Sequence, residues 1–267
     1  MILNMEIEDY LGVIQKMEPA FIEAGKIAVE MQRKISPNKK FHTGTYDVDV
    51  VTDADFEVQE AVLFALSKTE LSLCRLIAEE KTQSVDKFNP DGELLLTIDP
   101  IDGTYRYAAG EPIYSLIVSI QKDGLPLYTF DHYPAINWTH RFAGKEHREF
   151  GKRPVLDFSM DKEKVVTYPY GDPAKKMPEI LQREIAKRGY KFVVGKELAP
   201  GFGGKAALLS DNVDGFYCED PLAVDGLVGL HYAMIHDWEI SNHLESKEPE
   251  TGFAGMVYPG FYFVIRK

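Results

Sequence analysis

An apolar segment that stops abruptly at acidic residues places the strongest constraint on how this chain folds. The segment Leu94–Ile98 leads directly into the hexapeptide Asp-Pro-Ile-Asp-Gly-Thr at residues 99–104. A second apolar run, Leu73–Ala78, stops in the same way at Glu79 and Glu80. Both runs have the length and composition of interior strands bounded by turn signals. We therefore expect two buried strands whose ends deliver carboxylates.

Composition and charge exclude several classes of function. The formal net charge of -12 argues against binding to nucleic acids or anionic membranes, because both reward clusters of Lys and Arg. The two cysteines, Cys74 and Cys218, lie in apolar surroundings and are predicted to be reduced core thiols. No run approaches ~20 apolar residues, and the N-terminus has acids where a signal peptide is basic. A cytoplasmic protein is the expectation.

The N-terminal part of the chain predicts two helices. Apolar residues recur at helical spacing through residues 1–35, and we expect this helix to be broken or restarted at Pro19. Thr52, followed three positions later by Asp55, predicts the start of a helix that runs to about Lys68.

Strand signals dominate the middle of the chain. Apolar runs at 113–120 and 125–130 flank a Lys-Asp-Gly turn and predict a hairpin, and residues 140–163 are predicted as loop and edge strand. Strand and helix signals then alternate: strand 164–168, helix 178–187, strand 191–194, a Gly-rich segment at 201–210, strand 215–218 and helix 224–235. This order predicts an α+β half, residues 1–130, joined to an α/β half, residues 131–267.

Four acidic positions stand out as candidate ligands of a hard cation: Glu79, Asp99, Asp102 and Asp225. Mg²⁺ prefers oxygen ligands and is commonly held by a few carboxylates together with water and substrate phosphate. Taken alone, each position has an ordinary explanation as a turn residue, a helix cap or a solvated strand end. Their combination favours a cation site, to which the carbonyl oxygen of Ile101 adds a ligand.

The hexapeptide at residues 99–104 resembles the signature of the inositol monophosphatase family of lithium-sensitive, Mg²⁺-dependent phosphatases. Further matches follow the family's order along most of the chain: Asp49–Asp55, Glu79–Glu80, Gly110–Pro112, Gly204–Ala207 and Val213–Gly215. The chain is thereby identified as a divergent member of that family. The resemblance implies a layered αβαβα sandwich of the sugar-phosphatase type, a homodimer, two or three Mg²⁺ ions and a small phosphorylated metabolite as substrate.

The resemblance also implies a role for each matching residue. The implied metal ligands are Glu79, Asp99, Ile101 (through its carbonyl oxygen), Asp102 and Asp225. Thr104, oriented by Asp55, is implied to position the attacking water and accept its proton, and Glu79 acts on the same water. The implied substrate contacts are Gly103, Thr104, Lys205, Ala206 and Asp225. For Lys205 the alternative is an exposed side chain at the edge of a Gly-rich loop.

The chain departs from the family's pattern at the substrate end. The family's W-D-x-A-A-G is reduced to Val224-Asp225 with a glycine at position 229, and the segment between Gly204 and Val213 is short. Cys218 stands where inositol-specific members place a glutamate. We therefore predict a phosphatase that is not strictly specific for inositol monophosphate. The alternatives are a phosphatase for 3′-phosphoadenosine 5′-phosphate, fructose 1,6-bisphosphate or histidinol phosphate, and a non-catalytic metal-binding scaffold.

Overall fold

A computed structural model describes residues 6–34, 38–39, 50–155, 164–168, 177–198, 203–251 and 255–267. Within these residues the helices are α1 Ile7–Gln32, α2 Asp53–Leu66, α3 Thr104–Ala108, α4 Glu179–Lys187, α5 Gly195–Leu198, α6 Gly203–Leu209 and α7 Val228–Ile235. The strands before residue 160 are β1 Asn38–Lys39, β2 Val50–Val51, β3 Arg75–Ala78, β4 Leu95–Asp102, β5 Ser115–Lys122, β6 Leu125–Tyr133, β7 Trp138–Ala143 and β8 Glu146–Gly151. The later strands are β9 Val165–Tyr168, β10 Lys191–Val194, β11 Gly215–Glu219, β12 Glu239–Leu244, β13 Glu250–Thr251, β14 Met256–Val257 and β15 Gly260–Ile265.

The first helix passes through its proline without a break. α1 is continuous over 26 residues with Pro19 inside it, so the predicted break or restart there is wrong. A proline within a helix removes one backbone hydrogen bond. The apolar stripe that contains Phe21, Ala24 and Ala28 is buried in the core, and this packing holds the helix together across the proline.

The second helix begins where the sequence predicts. Thr52 is the N-cap of α2, and Asp55 closes a capping box with it. One Asp55 carboxylate oxygen accepts hydrogen bonds from the Thr52 N–H at 2.8 Å and from the Thr52 hydroxyl at 2.7 Å. The capping box fixes the Asp55 side chain at the start of the helix, and it leaves the second carboxylate oxygen for other partners.

Six strands form the first sheet, in the order β3-β4-β5-β6-β7-β8. β3 and β4 are parallel, whereas the remaining neighbours are antiparallel. The predicted hairpin is confirmed as β5 and β6. Residues 138–151, predicted in part as loop, form the hairpin β7–β8, because the alternation in Trp138–Ala143 packs one side against the core. Residues 156–163 of that prediction lie outside the described part of the chain.

Five strands form the second sheet, in the order β10-β9-β11-β15-β12. The predicted strands at 164–168, 191–194 and 215–218 are confirmed as β9, β10 and β11. The helix predicted from residue 224 begins only at Val228, because Asp225, Gly226 and Leu227 form the turn that precedes α7. Asp49, Gly201 and Phe202, which the sequence motifs include, lie outside the described residues.

The two sheets and the helices stack in five layers, as the sequence predicts. α1 and α2 pack on one face of the first sheet, α6 and α7 fill the space between the sheets, and α4 covers the outer face of the second sheet. The predicted division at residue 130 into two halves stays a prediction. Strand β6 spans that residue, and the first sheet continues to Gly151. None of the helices in the described ranges has the length and apolarity needed to cross a membrane.

Candidate active site

The parallel pair β3–β4 places two sets of acidic residues at one edge of the first sheet. Ala78, the last residue of β3, lies opposite Ile98 of β4. The N–H of the next residue, Glu79, donates to the Ile98 carbonyl oxygen at 3.2 Å. Parallel strands that end in register bring their carboxyl ends to the same place. Glu79 and Asp99 therefore adjoin.

A β-bulge brings both aspartates of the hexapeptide to the same face of β4. Asp99 pairs with Ile117 and Asp102 pairs with Ser115, so three steps on β4 match two on β5. Residues three apart on a regular strand point to opposite faces, and an extra residue in a bulge cancels that difference. Gly103 then turns the chain into α3. Its φ of 86° is a left-handed backbone conformation that favours glycine.

Asp55, Glu79 and Glu80 form the first carboxylate cluster, with one ligand oxygen from each within 4.8 Å of the others. Burial raises the pKa of Asp55 to about 7, and the negative charge of Glu79 adds to this rise against the hydrogen bonds from Thr52. The Gln59 side-chain amide forms two hydrogen bonds with the backbone of Glu80. It donates to the carbonyl oxygen at 2.6 Å and accepts from the N–H at 2.9 Å. The cluster is thus held by α2 and the end of β3.

The Thr104 hydroxyl connects the first cluster to the hexapeptide. Its Oγ lies 3.2 Å from Asp55 Oδ1 and 2.9 Å from the carbonyl oxygen of Ile101, two acceptors between which its proton is shared. Thr104 is 9% exposed and Asp55 is 1% exposed. The structure therefore brings together the two residues that sequence reasoning paired as a proton-accepting unit.

Asp99, Asp102 and Asp225 form the second carboxylate cluster, again with one ligand oxygen from each within 4.8 Å. Asp225 reaches it from the turn before α7. Burial raises the pKa of Asp99, as do the charges of Glu79 and Asp102; burial and Asp102 raise the pKa of Asp225. Asp225 Oδ1 is buried and has no hydrogen-bond partner among the described residues. Carboxylate oxygens that crowd together, with Asp225 Oδ1 left without a donor, fit a hard divalent cation, which would relieve their repulsion.

Lys205 lies inside the site, so the alternative of an exposed side chain is wrong. Its ammonium group is 2.5 Å from Asp102 Oδ2, 2.9 Å from the Ser115 hydroxyl and 3.4 Å from Asp131 Oδ2. Burial alone would lower the pKa of Lys205, but Asp102 and Asp131 raise it well above its usual value. The adjoining sheet thus supplies two carboxylates that favour the charged form of Lys205.

The substrate end of the site is built from small or apolar groups. Ala206 is buried in the short helix α6, which has seven residues. Cys218 is 4% exposed in β11, opposite Tyr262 of β15. Burial raises the pKa of the Cys218 thiol, so this position carries no charge at neutral pH. Both cysteines are free and buried, as the sequence predicts.

Sequence reasoning missed Asp131 and Ser115. Asp131 lies two residues before the end of β6 and is fully buried, at 0% exposure. An aspartate is almost never fully buried unless it is paired. An acid inside an apolar strand was therefore the available signal, but the sequence does not reveal that its partner is a lysine 74 residues away.

Comparison with protein families places this geometry in a known context. The model described as "Inositol monophosphatase family" matches residues 14–152, just over half of the chain. Among curated proteins, inositol monophosphatase 1 of Solanum lycopersicum is 26% identical over 134 residues, which is 50% of this chain and 46% of that protein. A fructose-1,6-bisphosphatase/inositol-1-monophosphatase of Thermotoga maritima is 26% identical over 120 residues, 42% of this chain and 44% of that protein. The matches thus span less than half the length of these relatives.

Solved structures match over nearly the whole chain. An IMPase of Thermotoga maritima superposes with a TM-score of 0.62 at 21% identity, covering 95% of this chain and 92% of that one. A staphylococcal inositol monophosphatase-1, soaked in LiCl as an inhibitory complex, gives 0.64 at 16% identity over 96% and 91%. An IMPase/NADP phosphatase complexed with Mg²⁺ and phosphate gives 0.63 at 16% identity over 97% and 92%. The layered fold is shared along the length of the chain.

Proposed function

This chain belongs to the inositol monophosphatase family, and on that premise we propose that it is a Mg²⁺-dependent phosphatase of small phosphomonoesters. The observation that carries the proposal is the pair of carboxylate clusters at the end of β4. The charge of Glu79 raises the pKa of both Asp55 and Asp99, so the two clusters adjoin. The implied ligands, Glu79, Asp99, Ile101, Asp102 and Asp225, all belong to these clusters or to the bulge between them.

Bound Mg²⁺ would supply charge neutralisation for the transferring phosphoryl group and would lower the pKa of a water molecule. The protein's own contribution to proton transfer is the pair Asp55 and Thr104. Asp55 holds the Thr104 hydroxyl, so that the threonine oxygen accepts a proton from the attacking water while its own proton moves to Asp55. Burial raises the pKa of Asp55, and a raised pKa favours acceptance of this proton.

The phosphate and the leaving group would occupy the space between the hexapeptide and α6. We propose that the backbone N–H groups of Gly103 and Thr104 bind phosphate oxygens, since donors fixed in advance stabilise charge that develops in the transition state. We propose Ala206 and Asp225 as further substrate contacts, as the family resemblance implies. Lys205 is directed to Asp102 and Asp131, so its proposed role is different and follows below.

Substrate choice is expected to be broad. The relatives named above act on inositol monophosphate, fructose 1,6-bisphosphate or NADP according to their names. Discrimination among polyols requires buried polar groups that are left unpaired by the wrong substrate. This chain has the uncharged Cys218 where a glutamate would serve that purpose. We propose a phosphatase that acts on several phosphomonoesters.

A panel of substrates tests the proposed function. Phosphate release in Mg²⁺ would be measured with inositol 1-phosphate, glycerol 2-phosphate, 3′-phosphoadenosine 5′-phosphate and fructose 1,6-bisphosphate. We expect kcat/KM values within about 100-fold of one another for at least two of them, because a site without a dedicated polar contact discriminates weakly. The Asp99→Asn protein, purified in the same way, controls for contaminating phosphatases.

Two results would contradict this proposal. A preference of about 10⁴-fold for inositol 1-phosphate, typical of a dedicated polar site, would contradict broad specificity. No phosphate release from any of the four would favour the non-catalytic scaffold. The cytoplasmic location, the homodimer and inhibition by Li⁺ that the sequence led us to expect stay predictions.

A further inference from the structure

The ammonium group of Lys205 occupies a position among the carboxylates that a metal-dependent site would otherwise offer to a cation. We propose that Lys205 is a built-in cation, which holds Asp102 as an ion pair and weakens divalent-ion binding at the cluster of Asp99, Asp102 and Asp225. The inference rests on the proposed function in one respect, namely that these carboxylates are the cation ligands. The substrate-contact role implied by the resemblance is thereby replaced by a role toward the metal.

Two residues outside the second carboxylate cluster hold the ammonium group of Lys205 in place. Asp131 is fully buried, and both of its carboxylate oxygens face the ammonium group of Lys205: Oδ1 accepts a hydrogen bond at 3.5 Å and Oδ2 lies at 3.4 Å. A buried carboxylate of this kind must be paired with a cation. The ammonium group also donates a hydrogen bond of 2.9 Å to the Ser115 hydroxyl oxygen. The partners of Lys205 on β5 and β6 thus hold it beside Asp102.

The helix that carries Lys205 is also fixed. A Cβ at Gly204 would lie 3.1 Å from the Thr167 hydroxyl, and a Cβ at Gly195 would lie 2.2 Å from the Gly204 nitrogen. α6 therefore starts in direct contact with β9 and α5. The Lys205 side chain is 16% exposed. α6 has no room to shift toward the second sheet. The ammonium group can therefore leave Asp102 only if the Lys205 side chain rearranges.

The consequence for a divalent ion is electrostatic. Asp102 belongs to the second carboxylate cluster and also pairs with Lys205. An ammonium group and a divalent ion that contact the same carboxylate repel each other. Repulsion between charges a few ångströms apart is several times stronger in a partly buried site than in water. Removal of the ammonium charge is therefore expected to tighten the weakest divalent-ion site by at least about tenfold, equivalent to about 1.4 kcal/mol.

Mn²⁺ binding without substrate tests this role. The electron paramagnetic resonance signal of free Mn²⁺ gives the number and the dissociation constants of bound ions, and Mn²⁺ shares the preference of Mg²⁺ for carboxylate ligands. The variants are Lys205→Met, and Lys205→Met with Asp131→Asn, which avoids an unpaired buried carboxylate. Lys122→Met is the matched control, because Lys122 lies on β5 outside the site and pairs with Glu93.

We expect the weakest Mn²⁺ site to become at least about tenfold tighter in both Lys205 variants and to stay unchanged in Lys122→Met. The proposal is wrong if the dissociation constant of the weakest Mn²⁺ site in both Lys205 variants stays within about twofold of wild type. The proposed function fails separately: absence of phosphate release by the wild-type protein would overturn the phosphatase but not the role of Lys205, because Mn²⁺ binding is measured without substrate.

Discussion

Asp99→Asn is expected to lower the rate of phosphate release by about 10³-fold or more and to stabilise the metal-free protein. Asp99 lies at the junction of the two clusters, beside Glu79 and Asp102. A loss of about 4 kcal/mol of metal-dependent stabilisation corresponds to that rate effect. Two like charges 4 Å apart at an effective dielectric constant of 20 repel by about 4 kcal/mol, so removal of one of them favours the folded apo state.

The pH dependence of this stabilisation has a defined sign. Burial, Glu79 and Asp102 raise the pKa of Asp99 above its unfolded value, so the folded state resists ionisation of this group. The penalty is fully present above the raised pKa and disappears as the pH falls toward the unfolded value of about 3.9. Asparagine carries no such penalty. The excess stability of the variant should therefore be largest above neutral pH and smaller near pH 4.

Denaturant unfolding in EDTA at several pH values measures the effect. Asp91→Asn, at an exposed position outside the site, is the matched control and should follow the wild-type protein. We expect the free energy of unfolding of Asp99→Asn at pH 8 to exceed that of wild type by at least about 1 kcal/mol. A variant that is less stable than wild type in EDTA, or that keeps the wild-type rate in Mg²⁺, would show that Asp99 has a structural role instead.

Thr104→Val is expected to lower kcat by about 10²- to 10⁴-fold, the usual contribution of a positioned proton acceptor. Valine has nearly the same shape but lacks the hydroxyl that lies 3.2 Å from Asp55 Oδ1. Thr104→Ser is the matched control, because it keeps the hydroxyl, and it should stay within about tenfold of wild type. Mn²⁺ binding should be unchanged in both variants, since the side chain of Thr104 is not among the proposed ligands.

One outcome would contradict the proton-accepting role of Thr104. If Thr104→Val retains kcat within about threefold of wild type, far from the loss expected of a proton acceptor, then the hydroxyl serves only to close the turn with Ile101. A parallel loss of Mn²⁺ binding and activity would instead indicate that the variant disturbs the bulge. The serine control distinguishes loss of the hydroxyl from loss of the methyl group.

Much of the fold was predictable because its signals are local. The capping box of Thr52 and Asp55 fixes the start of α2, and apolar runs that end at turn residues mark β3 and β4. The break expected at Pro19 did not occur, since core packing of α1 outweighs one lost hydrogen bond. Tertiary contacts of this kind are not visible in a window of sequence.

The candidate site was predictable where its residues are close in sequence and hidden where they are not. The hexapeptide contains its own turn, so the convergence of Asp99 and Asp102 was predictable. The β-bulge that produces it is seen only in their pairing to Ile117 and Ser115. The pairing of Lys205 with Asp131 depends on how α6 packs against the first sheet. No spacing rule connects those two residues, so only the folded chain reveals that the site contains its own cation.

If cations held by these carboxylates drive phosphomonoester hydrolysis, removal of the metal must abolish the reaction and its return must restore it. Phosphate release would be followed on one wild-type sample before EDTA, after EDTA, and after restoration with excess Mg²⁺, with Ca²⁺ restoration as a comparison. We expect activity to fall to the background of Asp99→Asn in EDTA and to return with Mg²⁺. Activity that continues undiminished in EDTA would contradict it.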